Sequence, residues 1–175
     1  MNLKDKIKSD IITAMKAGDG AKKTTLGMLQ SAIKNRELDK RAKLSKSGTP
    51  ADQLEASSQL TDEEVIESVS SEIKKRKDAI EQFIGGGRPE LAEGEKAEIE
   101  MLKVYMPEQM SEDEVKKLIA DAVASIRSNS SGTSTDAAGP KDMGKVMGAI
   151  SAKIKGKFDG SRASAMVKEA LSGGI

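Results

Sequence analysis

Apolar residues return at a helical spacing along almost the whole chain, and nowhere do they alternate as a half-buried strand would. Leu3, Ile7, Ile11 and Met15 recur every four residues until Gly18-Asp19-Gly20 halts the run. Leu26, Leu29, Ile33 and Leu38 mark a second helix. It fades into Leu44-Ser45-Lys46-Ser47-Gly48-Thr49-Pro50, so the stretch from about 45 to 60 reads as a mobile polar linker. Thr61-Asp62-Glu63-Glu64 then matches a capping box, in which Thr61 takes the Glu64 amide and Glu64 reaches back. Val65, Val69, Ile73, Ile80 and Ile84 follow on one face, and Gly85-Gly86-Gly87 ends the helix. Pro89 suits a first-turn position, with Glu90 near the positive end of the next helix. Leu91, Ile99, Leu102 and Met106 continue that helix to Pro107.

Ser111-Glu112-Asp113-Glu114 is a second capping box, followed by an apolar stripe of Val115, Leu118, Ile119, Ala122, Val123 and Ile126. Residues 128–139 are low in complexity and read as a second mobile insertion. Pro140 opens another helix, with Met143, Met147, Ile150 and Ile154 on one face. Gly156 to Gly160 make a turn, and 161–171 form the last helix, with Met166, Val167, Ala170 and Leu171 apolar. The expectation is an all-α protein of about seven helices. Residues 1–107 form an N-terminal helical domain and 108–175 a small C-terminal three-helix domain.

Composition narrows the chemistry. The 175 residues include no cysteine and no histidine. Disulfides, thiolate nucleophiles, zinc–cysteine sites and histidine-based catalysis are therefore excluded. No catalytic residue, metal site, cofactor or small-molecule substrate is read from the sequence. The aromatic residues are Phe83, Tyr105 and Phe158, too few for a base-stacking platform.

The net charge of +1 hides an asymmetry. Residues 1–59 carry 12 basic and 7 acidic side chains, 60–127 carry 10 and 17, and 139–175 carry 7 and 3. Basic ends around an acidic middle point to an anionic partner. No apolar run reaches membrane-spanning length, and the amino terminus lacks a signal core. It also holds Asp5 and Asp10, with no arginine before Arg36, unlike a transit peptide. A cytoplasmic protein is the expectation, with an organelle matrix the alternative if a leader has been removed.

Two basic constellations stand out. Lys74-Lys75-Arg76-Lys77 is the densest, but at about 100° per residue its side chains spread around most of the helix. Lys74 can pair with Asp78 and Lys77 with Glu81, which makes a solvated, ion-paired face the plainer reading. With Arg88 the run offers a secondary basic site at Lys75, Arg76 and Arg88. Gly139-Pro140-Lys141-Asp142-Met143-Gly144-Lys145-Val146-Met147-Gly148 is more informative. It sets a helix amino terminus beside Lys141 and Lys145, while Gly144 and Gly148 clear one helical edge for another backbone. That backbone is either a packed neighbouring helix or a nucleic-acid strand, and Asp142 weighs against simple anion binding. Lys153, Lys155 and Lys157 extend the basic character and can track phosphates without reading bases. The acidic row Glu90, Glu93, Glu95, Glu98 and Glu100 is not read as a metal site, because a helix surface does not wrap roughly six to eight oxygens around calcium.

Several blocks in order then resemble the GatB/YqeY family. They are Glu72-Ile73-Lys74-Lys75-Arg76-Lys77-Asp78-Ala79-Ile80, Gly87-Arg88-Pro89-Glu90-Leu91-Ala92-Glu93, Tyr105-Met106-Pro107-Glu108-Gln109-Met110-Ser111, and Gly139 to Gly148. The family is similar to the tail of the B subunit of the tRNA-dependent amidotransferase, a helical region that helps to hold tRNA while amidase and kinase chemistry lies elsewhere. The resemblance implies a stand-alone YqeY-like, tRNA-binding accessory protein. Its partners would be tRNA and an aminoacyl-tRNA synthetase or amidotransferase subunits. The implied RNA-facing residues are Lys141, Met143, Gly144, Lys145 and Gly148, with Lys153, Lys155 and Lys157. Two alternatives stay open: a component of amido-transferring carbon–nitrogen ligase activity with glutamine as amide donor, and a helical protein-interaction module without RNA. Autonomous enzyme activity is not expected.

Overall fold

The structure, a computed structural model, describes residues 2–129 and 140–172. It is all-α, with eight α-helices and one short 3-10 turn among the described residues. The chain falls into two compact units, Met1–Met106 and Pro107–Ile175.

In the first unit α1 spans Leu3–Ala17 and α2 spans Gly20–Lys46. The Asn2 side chain accepts the Asp5 N–H at 2.8 Å, and Asp19 caps α2 through the Lys22 N–H at 3.0 Å. Between the two helices Gly18 adopts φ 71°, a left-handed exit that favours glycine. The linker expected over 45–60 instead contains a helix, α3, at Ala51–Ser58. Leu54 and Ser58 are buried in it, and Arg41 of α2 reaches Glu55 at 2.6 Å. One buried leucine in a polar octapeptide is too sparse for a periodicity reading, so tertiary packing decides this segment.

Helix α4 spans Asp62–Gly85 and α5 spans Pro89–Lys103. The Thr61 capping box is formed: Thr61 Oγ1 accepts the Glu64 N–H at 3.3 Å, and Glu64 Oε2 accepts the Thr61 N–H at 2.8 Å. The core of this unit gathers Ile7, Leu26, Leu29, Ile33, Leu60, Val65, Val69, Ile73, Ile99, Leu102 and Tyr105.

Four residues of the expected apolar stripes point outward: Met15, Leu38, Ile84 and Leu91 are exposed. A strict four-residue spacing rotates about 40° per step, so Met15 has turned off the face that Ile7 defines, and Ala14 takes the inner place. In α2 the face of Leu26, Leu29 and Ile33 continues at Glu37, not Leu38. The Glu37 carboxylate is buried and accepts the Leu60 N–H at 3.2 Å and the Lys4 ammonium.

In the second unit α6 spans Glu112–Asn129, a 3-10 turn covers Pro140–Asp142, α7 spans Met143–Ile154 and α8 spans Gly160–Leu171. The insertion expected over 128–139 falls, from 130 on, outside the described residues; 128 and 129 close α6. The second capping box is closed by Ser111 and Glu114, with contacts of 2.7 and 3.3 Å. Val115, Ile119, Val146, Ile150, Ala163 and Val167 lie at the centre of this unit's core. The α7–α8 turn is tied to the segment before α6 by Met110 N–H to Lys157 O at 2.8 Å and Gln109 Nε2 to Gly156 O at 3.0 Å.

Candidate nucleic-acid interface

Helix α7 is pinned from below. Val146, Ile150 and Ile154 are buried, and Met143 and Met147 pack half-buried against the same core. Helical geometry then turns Lys145, Gly148 and Ala152 to the opposite side, and all three are exposed. Among the described residues, Gly144 and Gly148 have open space where a Cβ would stand, with nothing within 4 Å. The glycine edge is therefore not consumed by packing against α6 or α8 among those residues.

Cations sit at both ends of this edge. Lys141 and Lys145 are exposed at its start and Lys153, Lys155 and Lys157 at its end. From Lys145 to Lys155 the helical rise is about 15 Å. Lys145 Nζ lies 3.0 Å from Asp142 Oδ1, so one cation is already paired. Lys141, Lys153 and Lys157 have no ion pair among the described residues. Lys153 lies in the last turn and Lys155 at the C-cap, where positive charge also complements the helix dipole.

The spacing puts Met143 on the apolar face of this helix, while the resemblance puts it among the RNA-facing residues. Its side chain is half-buried and packs against the core, as its place on the apolar face predicts. Gly139 lies outside the described residues.

The secondary basic site does not assemble as a surface patch. Arg76 is 5% exposed. Its Nε donates to Glu98 Oε2 at 2.8 Å, and its Nη1 donates to the Glu72 main-chain oxygen and to Oε2, each at 3.2 Å. Arg76 thus joins α4 to α5. Lys75 is exposed but paired with Glu72 at 2.7 Å, and Arg88 is exposed at the start of α5. The expected Lys74–Asp78 and Lys77–Glu81 pairs do not form; the run pairs backward to Glu72 and across to Glu98. The inner face of α4 continues from Val69 and Ile73 through Arg76, so the arginine replaces an apolar residue and brings its own counter-charges. Sequence density of positive charge does not reveal that inward turn. The acidic row of α5 is likewise taken up, Glu93 with Lys96, Glu98 with Arg76 and Glu100 with Lys103.

Comparison with known proteins agrees with the chain as a whole. The family model described as Yqey-like protein matches residues 4–171. Altered inheritance of mitochondria protein 41, mitochondrial, from Lachancea thermotolerans is 31% identical over 123 residues, 69% of this chain and 58% of that protein. The protein of the same description from Candida glabrata is 31% identical over 102 residues, 58% of this chain and 48% of that protein. The one from Saccharomyces cerevisiae strain YJM789 is 30% identical over 122 residues, 67% of this chain and 58% of that protein. The chain thus spans about half the length of these relatives.

Proposed function

This chain belongs to the YqeY-like protein family, and on that premise we propose that it is an accessory protein that binds tRNA through the outer face of α7. The carrying observation is the open edge at Gly144 and Gly148, flanked by Lys141 and Lys145 at one end and Lys153, Lys155 and Lys157 at the other. A backbone without side chains admits a sugar–phosphate chain closely, and lysines at both ends meet its charge. This face carries no aromatic residue, so it recognises the shape and backbone of folded RNA and does not stack on splayed bases. The chemistry of any amide transfer is left to partner subunits, an amidotransferase or a synthetase. The compartment is one that holds tRNA, the cytoplasm or an organelle matrix; the relatives are described as mitochondrial.

The test is a fluorescence titration with total tRNA at low and moderate salt, with a random single strand as competitor. Binding is expected to weaken steeply with salt, to resist the competitor, and to be abolished by Lys141→Glu with Lys145→Glu. Unchanged affinity in the double variant removes the site assignment. No binding at low salt removes tRNA recognition by the isolated chain.

A second reading has its own observation. Ile84 and Leu91, 54% and 45% exposed, flank the Gly85–Gly87 turn between α4 and α5, and an apolar tip of this kind suits a protein partner. A stoichiometric protein recovered after nuclease treatment, and lost in Ile84→Asp, would favour it.

A further inference from the structure

Helix α2 carries two faces, and the core explains one of them. Leu26, Leu29, Ile33 and Glu37 are buried. On the outer side Thr24, Met28, Ser31, Asn35, Leu38 and Ala42 follow one another at alternating spacings of four and three. All six are exposed and none is charged, in a chain of which 33% of the residues are charged. Met28 and Leu38 are 51% and 50% exposed, large apolar side chains with no cover in their own unit. An alternating four–three repeat has the spacing of a two-stranded coiled-coil seam, with Met28, Asn35 and Ala42 at one class of seam position and Thr24, Ser31 and Leu38 at the other; three of the six are apolar.

One flanking pair of charges favours a second copy of this chain as its cover. Asp39 is exposed and has no ion pair among the described residues. Lys34 is exposed, and its ammonium lies 3.9 Å from Glu37, which the Lys4 ammonium already meets. In a parallel, in-register pair, a residue beside one seam position faces the residue five places on in the other helix. Lys34 of one copy then faces Asp39 of the other, twice by symmetry. Arg41 faces Lys46 in the same register, but its charge is already met by Glu55 at 2.6 Å. An antiparallel pairing would instead oppose Lys34 and Arg41 of the two copies. Asn35 meets its symmetry mate at the axis, where the two side-chain amides can hydrogen-bond in register.

We propose that the outer face of α2 is a self-association surface on which a second copy of this chain docks, α2 against α2, parallel and in register. This is independent of the RNA reading. The seam is lean in apolar area, so association is concentration-dependent.

Sedimentation equilibrium of the full chain tests it. The mean mass is expected to rise from 18.6 kDa toward twice that value as the concentration approaches the millimolar range. Lys34→Asp and Asp39→Lys, each of which opposes like charges across the axis, should each weaken association about tenfold, and the double swap should restore it. Ser31→Leu, which fills a seam position, should tighten association without depending on the charge pair. A monomer at every concentration in both the parent and Ser31→Leu overturns the proposal. So does a double swap that associates no better than the single variants while melting like the parent.

Discussion

The Tyr105 hydroxyl donates to Asp10 Oδ2 at 2.6 Å across 95 positions of sequence, and so joins the residues just past α5 to α1. Tyr105 is 4% exposed, and the Lys6 ammonium stands 5.5 Å from its ring centroid. Burial, then the hydrogen bond to the Asp10 carboxylate, holds the phenol well above its ordinary pKa of 10.0. A group raised in this way stabilises the fold below its unfolded pKa and loses that contribution as pH climbs from there toward the folded value. Tyr105→Phe is expected to cost about 1–2 kcal/mol at neutral pH, because the partly exposed Asp10 regains water. It should also flatten the stability profile above pH about 10. Chemical denaturation of the two proteins from pH 7 to 11 checks both; parallel profiles would show that Tyr105 is not the titrating group.

At the other end of the pH scale Glu64 is the sensitive group. The Lys40 hydrogen bond, then the Thr61 N–H, lowers its pKa below the ordinary carboxylate value. Its contribution is therefore present above that ordinary value and lost as pH falls through the folded one. Glu64→Gln keeps a side chain that can close the capping box but not the charge that meets Lys40. The variant should be modestly less stable at pH 7 and equal to the parent in acid, read as melting temperatures converging below pH about 4.

Arg76 makes a sharper prediction. It is buried between Glu72 and Glu98, and truncation leaves the Glu72 carboxylate, itself 7% exposed, with only the exposed Lys75 to meet it, and Glu98 without its partner. Arg76→Ala should cost the first unit about 3 kcal/mol, the low end for a broken buried pair because Lys75 still meets Glu72. That lowers its melting transition by on the order of 15 °C. The second unit has its own core and should melt as before. Pairing Arg76→Met with Glu72→Leu should recover much of the loss, since apolar replacement of a buried ion pair is often neutral. A surface basic residue would show neither effect.

The contrast between these residues shows where sequence reading works. Both capping boxes are legible because each is local, a hydroxyl and a carboxylate three residues apart. The inner face of α4 is legible because valine and isoleucine repeat at helical spacing along it, and that of α7 is legible at Ile150 and Ile154, though Val146, fully buried, lies outside the expected set. Glu37 and Arg76 are not legible, because their inward places are set by partners distant in sequence: Lys4 and the Leu60 N–H for one, Glu98 for the other. Helix α3 escapes notice for the same reason, with Leu54 as its one large buried apolar side chain. In the candidate interface the glycine edge follows from spacing alone, and spacing also puts Met143 on the apolar face with Met147, Ile150 and Ile154, where it packs; its RNA-facing role comes only from the resemblance.

That glycine edge separates stability from binding. Gly148 lies in the interior of α7, exposed, with no atom within 4 Å of the place where a methyl group would stand. Alanine there loses less backbone entropy than glycine and meets no obstacle, so Gly148→Ala should stabilise the second unit by about 0.8–1 kcal/mol. Against RNA the sign reverses. A methyl group on the edge holds a phosphate chain away from the helix backbone, so the more stable protein should bind tRNA more weakly. Gly144→Ala, in the first turn, should stabilise less, since fewer intrahelical bonds depend on it. Melting curves and tRNA titrations on the same preparations measure the two effects together. A Gly148→Ala protein that melts higher and binds tRNA as well as the parent would show that the RNA contacts the lysines without approaching the glycine edge.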